Sequence, residues 1–160
     1  MYKAKFISII LISSLFFATE RVELNSNTST SIEVLSSDNN IIDLNFSLNE
    51  YYLNTIIIDN VEYSSVKIPN GASLLIEGAP DLPKYSKSII IPDDKKMKVE
   101  IIDQNYIEYE NILISPSKGN LSRNIDPLTI PYNFSSIYTM DTFFPSSIVN
   151  LNDPYILRDF

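Results

Sequence analysis

Hydrophobic and polar residues alternate along several short stretches of the chain. The clearest stretch is 42–48, where every second residue is Ile, Leu or Phe and the residues between them are polar. A period of two is typical of a β-strand with one buried face. Two further β-rich runs follow at 53–58 and 61–68, with a change of parity at Ser64-Ser65 that would fit a β-bulge. We therefore expect three successive strands here.

Turn-forming residues separate the runs. Pro69-Asn70-Gly71 ends the third run, and Asn-Gly readily takes the positive φ angles of a tight turn, so we predict a hairpin from 61–68 into a strand at 72–76. Later β-rich runs are 88–91, 97–101, 106–114 and 147–151. No stretch offers an equally clear helical spacing of apolar residues. Strand runs broken by 9 prolines predict an all-β fold, an antiparallel β-sandwich of jelly-roll-like type.

The first residues, 1–19, have the pattern of a signal peptide. Lys3 and Lys5 supply a positive start, and an uncharged run rich in Ile, Leu and Phe follows at 6–18. This run is shorter than the roughly 20 residues that span a bilayer. An uncleaved membrane anchor is the alternative, because Phe16 fits a cleavage site poorly. We expect export, to the periplasm, the cell surface or the medium.

The length of 160 residues suits a single domain with a real core. Residues 20–31 contain many Asn, Ser and Thr, and we interpret them as a flexible lead-in to a domain at 32–160. The net charge of −8 falls to about −10 once the two lysines of the signal peptide are removed. Such a chain repels phosphate backbones and anionic lipid surfaces on average. We therefore expect no nucleic-acid partner, and no membrane partner after signal cleavage.

The chain contains no Cys and no His. This excludes thiol nucleophiles, imidazole general bases, disulfides and the usual zinc sites. Asp93-Asp94 supplies too few of the six to eight oxygens that Ca²⁺ needs. We expect no catalytic residue, no metal and no cofactor, and a fold that burial alone must stabilise.

The most specific segment is 78–83, which carries the pattern GxPxLP. Together with later segments at 112–119, 130–132 and 153–159, in the same order and at similar spacing, it resembles the propeptides of the gingipain (C25) family of cysteine peptidases. The residues that carry the resemblance most directly are Gly78, Pro80, Leu82, Pro83, Pro116, Gly119, Pro154 and Arg158.

The resemblance implies the N-terminal propeptide of a secreted cysteine endopeptidase. Such a propeptide is an all-β domain that assists folding as an intramolecular chaperone and keeps the cognate C25-type catalytic domain latent, in cis or in trans. In the family, further strands follow the residues that match 157–159, so we expect this domain to be incomplete at its C-terminus. The alternatives are a free-standing exported β-sandwich for binding or adhesion, and a stand-alone inhibitor descended from a propeptide.

The resemblance also points to an inhibitory residue. Peptidases of this family cut after Arg or Lys, and an acidic S1 pocket would take a guanidinium as a bidentate pair. Arg123 lies in a stretch rich in turn formers between Pro116 and Pro127, which predicts an exposed loop. We expect Arg123 to enter the S1 pocket of the cognate peptidase. Its flanking residues in the cleft would be Leu121 and Ser122 on the non-primed side and Asn124 after the cleavage point.

The basic residues Arg123, Lys118 and Arg158 also allow other roles. Arg123 could be a solvated charge or could pair with Asp126, since exposed ion pairs are common and contribute little. Lys118 is the second candidate for the S1 pocket. Arg158 would instead form a structural ion pair with Asp159 or Asp153.

Overall fold

The structure is a computed structural model that describes residues 19–24 and 29–155. Apart from Thr19, the predicted signal peptide lies outside the described residues, and so does Arg158. No helix in the described part of the chain is long and apolar enough to cross a membrane.

In the described ranges, seven β-strands form three small antiparallel sheets. The strands are β1 (Thr19–Glu23), β2 (Ser31–Ser37), β3 (Ile42–Ser47), β4 (Glu50–Ile58), β5 (Val61–Lys67), β6 (Ala72–Ser73) and β7 (Pro83–Lys84). The sheet orders are β1-β4-β5, β2-β3 and β6-β7. Within the described residues there is no α-helix, and the helical turns are two short 3-10 segments, Pro127–Thr129 and Ser136–Thr139. The all-β, antiparallel prediction is confirmed, whereas face-to-face packing of two sheets as a sandwich stays a prediction.

The hairpin of β4 and β5 is the longest paired element. Asp59 and Asn60 connect the two strands, and both have positive φ, 50° and 65°, as a two-residue type I′ turn requires. The register runs without interruption from Ile58↔Val61 to Tyr52↔Lys67, so the bulge predicted at Ser64-Ser65 is wrong. The parity changes there because a polar residue, Ser65, occupies a buried position of the strand.

Part of the expected lead-in at 20–31 lies in strands where the structure describes it. β1 pairs with β4 along its whole length, from Thr19↔Asn54 to Glu23↔Glu50, and Ser31 begins β2. The side chain of Arg21 donates to Glu50 at 2.7 Å and also contacts Glu23. This segment is held by main-chain hydrogen bonds and by a cross-strand ion pair. Neither contact produces the alternation of apolar and polar residues by which a strand is recognised in a sequence.

The hairpin predicted at Asn70-Gly71 does not form. Asn70 has φ of 56°, and Gly71 donates its backbone N–H to the Ile68 carbonyl at 3.1 Å. With Pro69 at the second position, this is the arrangement of a type II turn. The chain then leads into β6, which pairs with β7 rather than with β5.

Three predicted strands, at 88–91, 97–101 and 106–114, form no ladder with any described residue, and neither does 147–151. The one pairing in these runs is an isolated parallel bridge between Ser64 and Ile114. Several large side chains of the runs are exposed, among them Ile90 at 90% and Ile102 at 88%. Alternation gives a segment one apolar face, but a strand also needs a partner for its backbone groups.

The most buried part of the described chain lies where 78–81 meets 115–117. Ala79 is 0% exposed, and Ser115, Pro116 and Ser117 are almost completely buried. The backbones are joined by Gly78 N–H to the Ser117 carbonyl at 2.9 Å, Ser117 N–H to the Ala79 carbonyl at 2.8 Å and Asp81 N–H to the Ser115 carbonyl at 2.9 Å. We call this pairing of 78–81 with 115–117 the motif junction.

Candidate functional site

The motif junction connects the GxPxLP segment to the edge of the main sheet. On its other side, Ser115 donates its backbone N–H to the Ser64 carbonyl of β5 at 2.9 Å, and Ser64 donates to the Leu113 carbonyl at 2.7 Å. The segment that follows the junction is therefore anchored at its start. That segment, 118–127, is the loop that contains Arg123.

Gly78 has a backbone requirement at the junction that only glycine meets easily. Its φ is +73°, and a Cβ atom at this position would lie 3.1 Å from the backbone nitrogen of Ser135. Its carbonyl accepts from that same nitrogen at 2.8 Å. A second contact from this region joins the hydroxyl of Tyr138 to the Ile114 carbonyl at 2.9 Å.

The remaining family-motif residues mostly have structural positions. Pro80 forms an isolated antiparallel bridge with Pro116, and Leu82 accepts at its carbonyl from Leu74 N–H. Pro83 begins β7, where it pairs with Ser73. Pro154 is exposed and lies in no strand.

Gly119 fixes the direction in which the loop leaves the junction. Its φ is +77°, and a Cβ atom here would lie 3.1 Å from the Cβ atom of Glu77. Its backbone N–H donates to the hydroxyl oxygen of Ser117 at 3.2 Å. The left-handed conformation and the close approach both favour glycine.

The end of the loop is held by Asp126. Its carboxylate accepts from Leu128 N–H at 2.9 Å and so caps the 3-10 turn Pro127–Thr129. Its carbonyl accepts from the backbone N–H and the hydroxyl of Thr129. Asp126 forms no ion pair with Arg123. The cations in the salt bridges of the described residues are Arg21 and Lys98. The pairing alternative for Arg123 is therefore wrong.

Lys118 connects the two ends of the loop. Its Nζ donates to the Pro127 carbonyl at 2.7 Å and lies 4.1 Å from the centre of the Tyr132 ring. The second contact is a cation–π interaction. The ammonium is thus used within its own molecule, which weighs against Lys118 as the residue that enters an S1 pocket.

A tight turn forms the tip of the loop. Ile125 donates its backbone N–H to the Ser122 carbonyl at 3.0 Å, which places Arg123 and Asn124 at the two central positions. Ser122, Arg123 and Asn124 are exposed, whereas Leu121 is half-buried. Of the four residues expected to meet the peptidase, three lie at the surface of the tip and Leu121 faces a cavity below it.

This cavity has a volume of about 520 Å³ and separates the loop from the main sheet. Asp81, Lys67, Lys118 and Tyr132 are among its lining residues. Burial raises the pKa of Asp81, while a hydrogen bond from Ser73 and the charge of Lys67 act in the opposite direction. One carboxylate oxygen of Asp81 is buried without a hydrogen-bond partner among the described residues.

Burial, and to a smaller degree the charge of Asp81, also raises the pKa of Tyr132. Sequence patterns gave no sign that Asp81, Lys118 and Tyr132 lie around one cavity, because they are distant along the chain. The only indication was that each belongs to one of the segments that carry the family resemblance, 78–83, 112–119 and 130–132.

Comparison with known proteins shows which family the chain resembles. The family model for C25 propeptides (Propeptide_C25) matches residues 22–160. Gingipain R1 from Porphyromonas gingivalis is 36% identical over 97% of this chain, and gingipain R2 from the same organism is 38% identical over 64% of it. The protein belongs to the family of gingipain-type (C25) propeptides.

A solved structure extends the likeness to three dimensions. It is a complex of Porphyromonas gingivalis RgpB pro- and mature domains, with a TM-score of 0.75 and 32% sequence identity. The match covers 80% of this chain and 67% of that chain. By contrast, the chain spans only 16% of the gingipain R1 sequence and 15% of gingipain R2. The expectation of a gingipain-type (C25) propeptide is confirmed.

Proposed function

We propose that this propeptide acts as an intramolecular chaperone and as an inhibitor that keeps its cognate C25-type catalytic domain latent. In this proposal Arg123 enters the acidic S1 pocket of the catalytic domain, flanked by Leu121, Ser122 and Asn124. The observation that carries the proposal is the exposed position of Arg123 at the tip of a loop whose two ends are anchored. The family match favours this function over a free-standing adhesion module.

An unpaired arginine at a loop tip suits insertion into a cleft. Among the described residues, Arg123 forms no salt bridge that binding would have to break. A guanidinium can bind a carboxylate through two parallel hydrogen bonds, which are about twice as strong as neutral ones. Truncating one partner of such a desolvated pair costs ~2–5 kcal/mol.

The comparison with the solved complex supports the proposed partner. In that structure the pro- and mature domains of RgpB are found together, and the fold of this chain resembles it at a TM-score of 0.75. By this likeness we assign the cognate catalytic domain as the partner of this chain, in cis within the precursor or in trans after cleavage. Residues 1–19 would direct the precursor to export.

The chaperone activity follows from the same binding. A ligand that binds only the native form of a protein stabilises it by an amount that grows with the ligand's concentration relative to its dissociation constant. A propeptide covalently joined to its catalytic domain has a high effective concentration. It would therefore favour the native catalytic domain throughout folding.

The test is inhibition in trans of an Arg-specific C25 peptidase by the full chain. We expect Arg123→Ala to raise the inhibition constant at least about tenfold, because the charged pair in the S1 pocket is lost. Arg123→Lys should retain part of the inhibition, since an ammonium keeps the charge but not the bidentate geometry. Lys87→Ala, which removes an exposed cation elsewhere, is the matched control and should change nothing. An unchanged constant for Arg123→Ala would remove this residue from the mechanism.

A further inference from the structure

The contacts of Lys118 close the loop that contains Arg123. Its ammonium reaches two points on the far side of the loop, the Pro127 carbonyl at 2.7 Å and the Tyr132 ring at 4.1 Å from its centre. Both contacts are made by one ammonium group, the first as a charge-assisted hydrogen bond and the second as a cation–π interaction. We refer to Lys118, Pro127 and Tyr132 as the loop clamp.

The loop clamp joins two parts of the chain that other contacts hold separately. The motif junction fixes the chain up to Ser117, and the capping by Asp126 fixes the turn that starts at Pro127. Neither of these holds the two ends of the loop against each other. The hydrogen bond from Lys118 to Pro127 joins positions nine residues apart and does so directly across the base.

A closed base restricts the motion of the tip. Ordering a free loop when it binds costs conformational entropy, and a loop held in one conformation beforehand avoids much of that cost. Restriction also opposes hydrolysis, because a peptidase must draw its substrate into an extended form. The hydrogen bond from Ile125 to Ser122 keeps the residues around Arg123 in a turn instead.

We propose that Lys118 is a positioning residue whose clamp on Pro127 and Tyr132 makes the Arg123 loop a tight, slowly cleaved ligand rather than a good substrate. The part of this proposal that concerns inhibition rests on the function proposed above. The reaction that the clamp slows is hydrolysis of the Arg123–Asn124 peptide bond, in which water adds to give the carboxylate of Arg123 and the free amine of Asn124. Lys118 does not touch the reacting bond and acts only through the loop.

The first experiment measures the clamp without the cognate enzyme. The folded full chain is exposed to dilute trypsin, and the fragment that begins at Asn124 is quantified by mass. We expect Lys118→Met, which keeps the unbranched stem and removes the ammonium, to raise the rate of this cut about tenfold. Lys118→Arg should restore resistance because it keeps a cation and its donors. Tyr132→Leu, which leaves the Pro127 contact in place, should have a smaller effect.

Two controls show whether a change in the cutting rate comes from the loop. Arg123→Ala must abolish the Asn124 fragment, and the thermal unfolding midpoints of the Lys118 variants should match that of the parent chain. A cutting rate that is the same for Lys118→Met and the parent would overturn the clamp. Faster cutting of Lys118→Met that Lys118→Arg does not reverse would overturn it as well, since the effect would not depend on the charge.

The second experiment separates the clamp from the proposed function. With an Arg-specific C25 peptidase, Lys118→Met should bind about tenfold more weakly and be cut after Arg123 faster than the parent chain. If Arg123→Ala binds as tightly as the parent, the proposed inhibitory function fails while the trypsin result still decides the clamp. If Arg123→Ala weakens binding but Lys118→Met does not, the clamp has no role in inhibition and the inference is wrong.

Discussion

Glycine at positions 78 and 119 shows how single residues determine the shape of this site. Both have φ near +75°. A Cβ atom at either position would lie only 3.1 Å from an atom of a neighbouring residue. The Gly78 conformation directs its N–H and carbonyl to Ser117 and Ser135, and the Gly119 conformation turns the chain into the loop. The sequence identified both glycines through the family pattern. It did not indicate which contacts require them.

Asp81 is the residue whose charge state should affect stability. Burial raises its pKa above the ordinary value, so the ionised form destabilises the folded state. This penalty is absent below the unfolded-state pKa of about 3.9, develops as the pH rises from there to the higher folded-state pKa, and is fully present above it. We expect Asp81→Asn to be more stable than the parent at pH 7, by at most about 1 kcal/mol because the side chain is only partly buried.

Urea unfolding at pH 3 and at pH 7 checks this prediction. The two proteins should have the same stability at pH 3 and differ only at pH 7. Asp94→Asn, at an exposed turn, serves as the control and should leave stability unchanged at both pH values. A loss of stability in Asp81→Asn at pH 7 would show that the carboxylate makes contacts that outweigh its burial.

Among the elements, the segment from Ser135 to Thr139 supports the motif junction from the side. The Tyr138 hydroxyl donates to the Ile114 carbonyl at 2.9 Å, and its ring packs edge-on against Phe134 at 5.0 Å between centroids. Tyr138→Phe keeps the ring and removes only the hydrogen bond. Because the Ile114 carbonyl then loses a partner, we expect the free energy of unfolding to fall by about 1 kcal/mol. Chemical denaturation measures this, with Tyr106→Phe at an exposed ring as the control.

Local sequence patterns predicted the strands that pair with their neighbours in the chain. The predicted 42–48 and 53–58 correspond to β3 and to most of β4, where alternation and β-branched residues agree with the pairing. β1 was missed because a charged pair and the edge of β4 order it. The runs between 88 and 114 were predicted as strands, but a strand depends on a distant partner that alternation cannot specify.

The candidate site was predicted only in part for a similar reason. Turn formers between two prolines correctly indicated an exposed segment around Arg123. The clamp was not foreseen, because Lys118 contacts Pro127 and Tyr132 through the fold of the loop, which no local sequence pattern specifies. Lys118 was instead considered for the S1 pocket, which its contacts in the folded chain disfavour.

At the scale of the whole molecule, much apolar surface is exposed. Ile90, Ile102 and Phe143 are almost fully accessible within the described residues, and the runs around the first two lie outside every ladder. Exposed apolar side chains favour self-association at high protein concentration. Binding should therefore be measured at low concentrations of the chain.

In the proposed mechanism this propeptide occupies the cleft of its peptidase through Arg123. The most direct measurement compares its dissociation constant for an Arg-specific C25 catalytic domain with the S1 pocket free and with the pocket filled by a covalent arginyl inhibitor. We expect filling the pocket to weaken binding of the parent chain at least about tenfold and to leave the weaker binding of Arg123→Ala unchanged. Equal binding of the parent chain to the free and the filled enzyme would show that Arg123 does not occupy the S1 pocket.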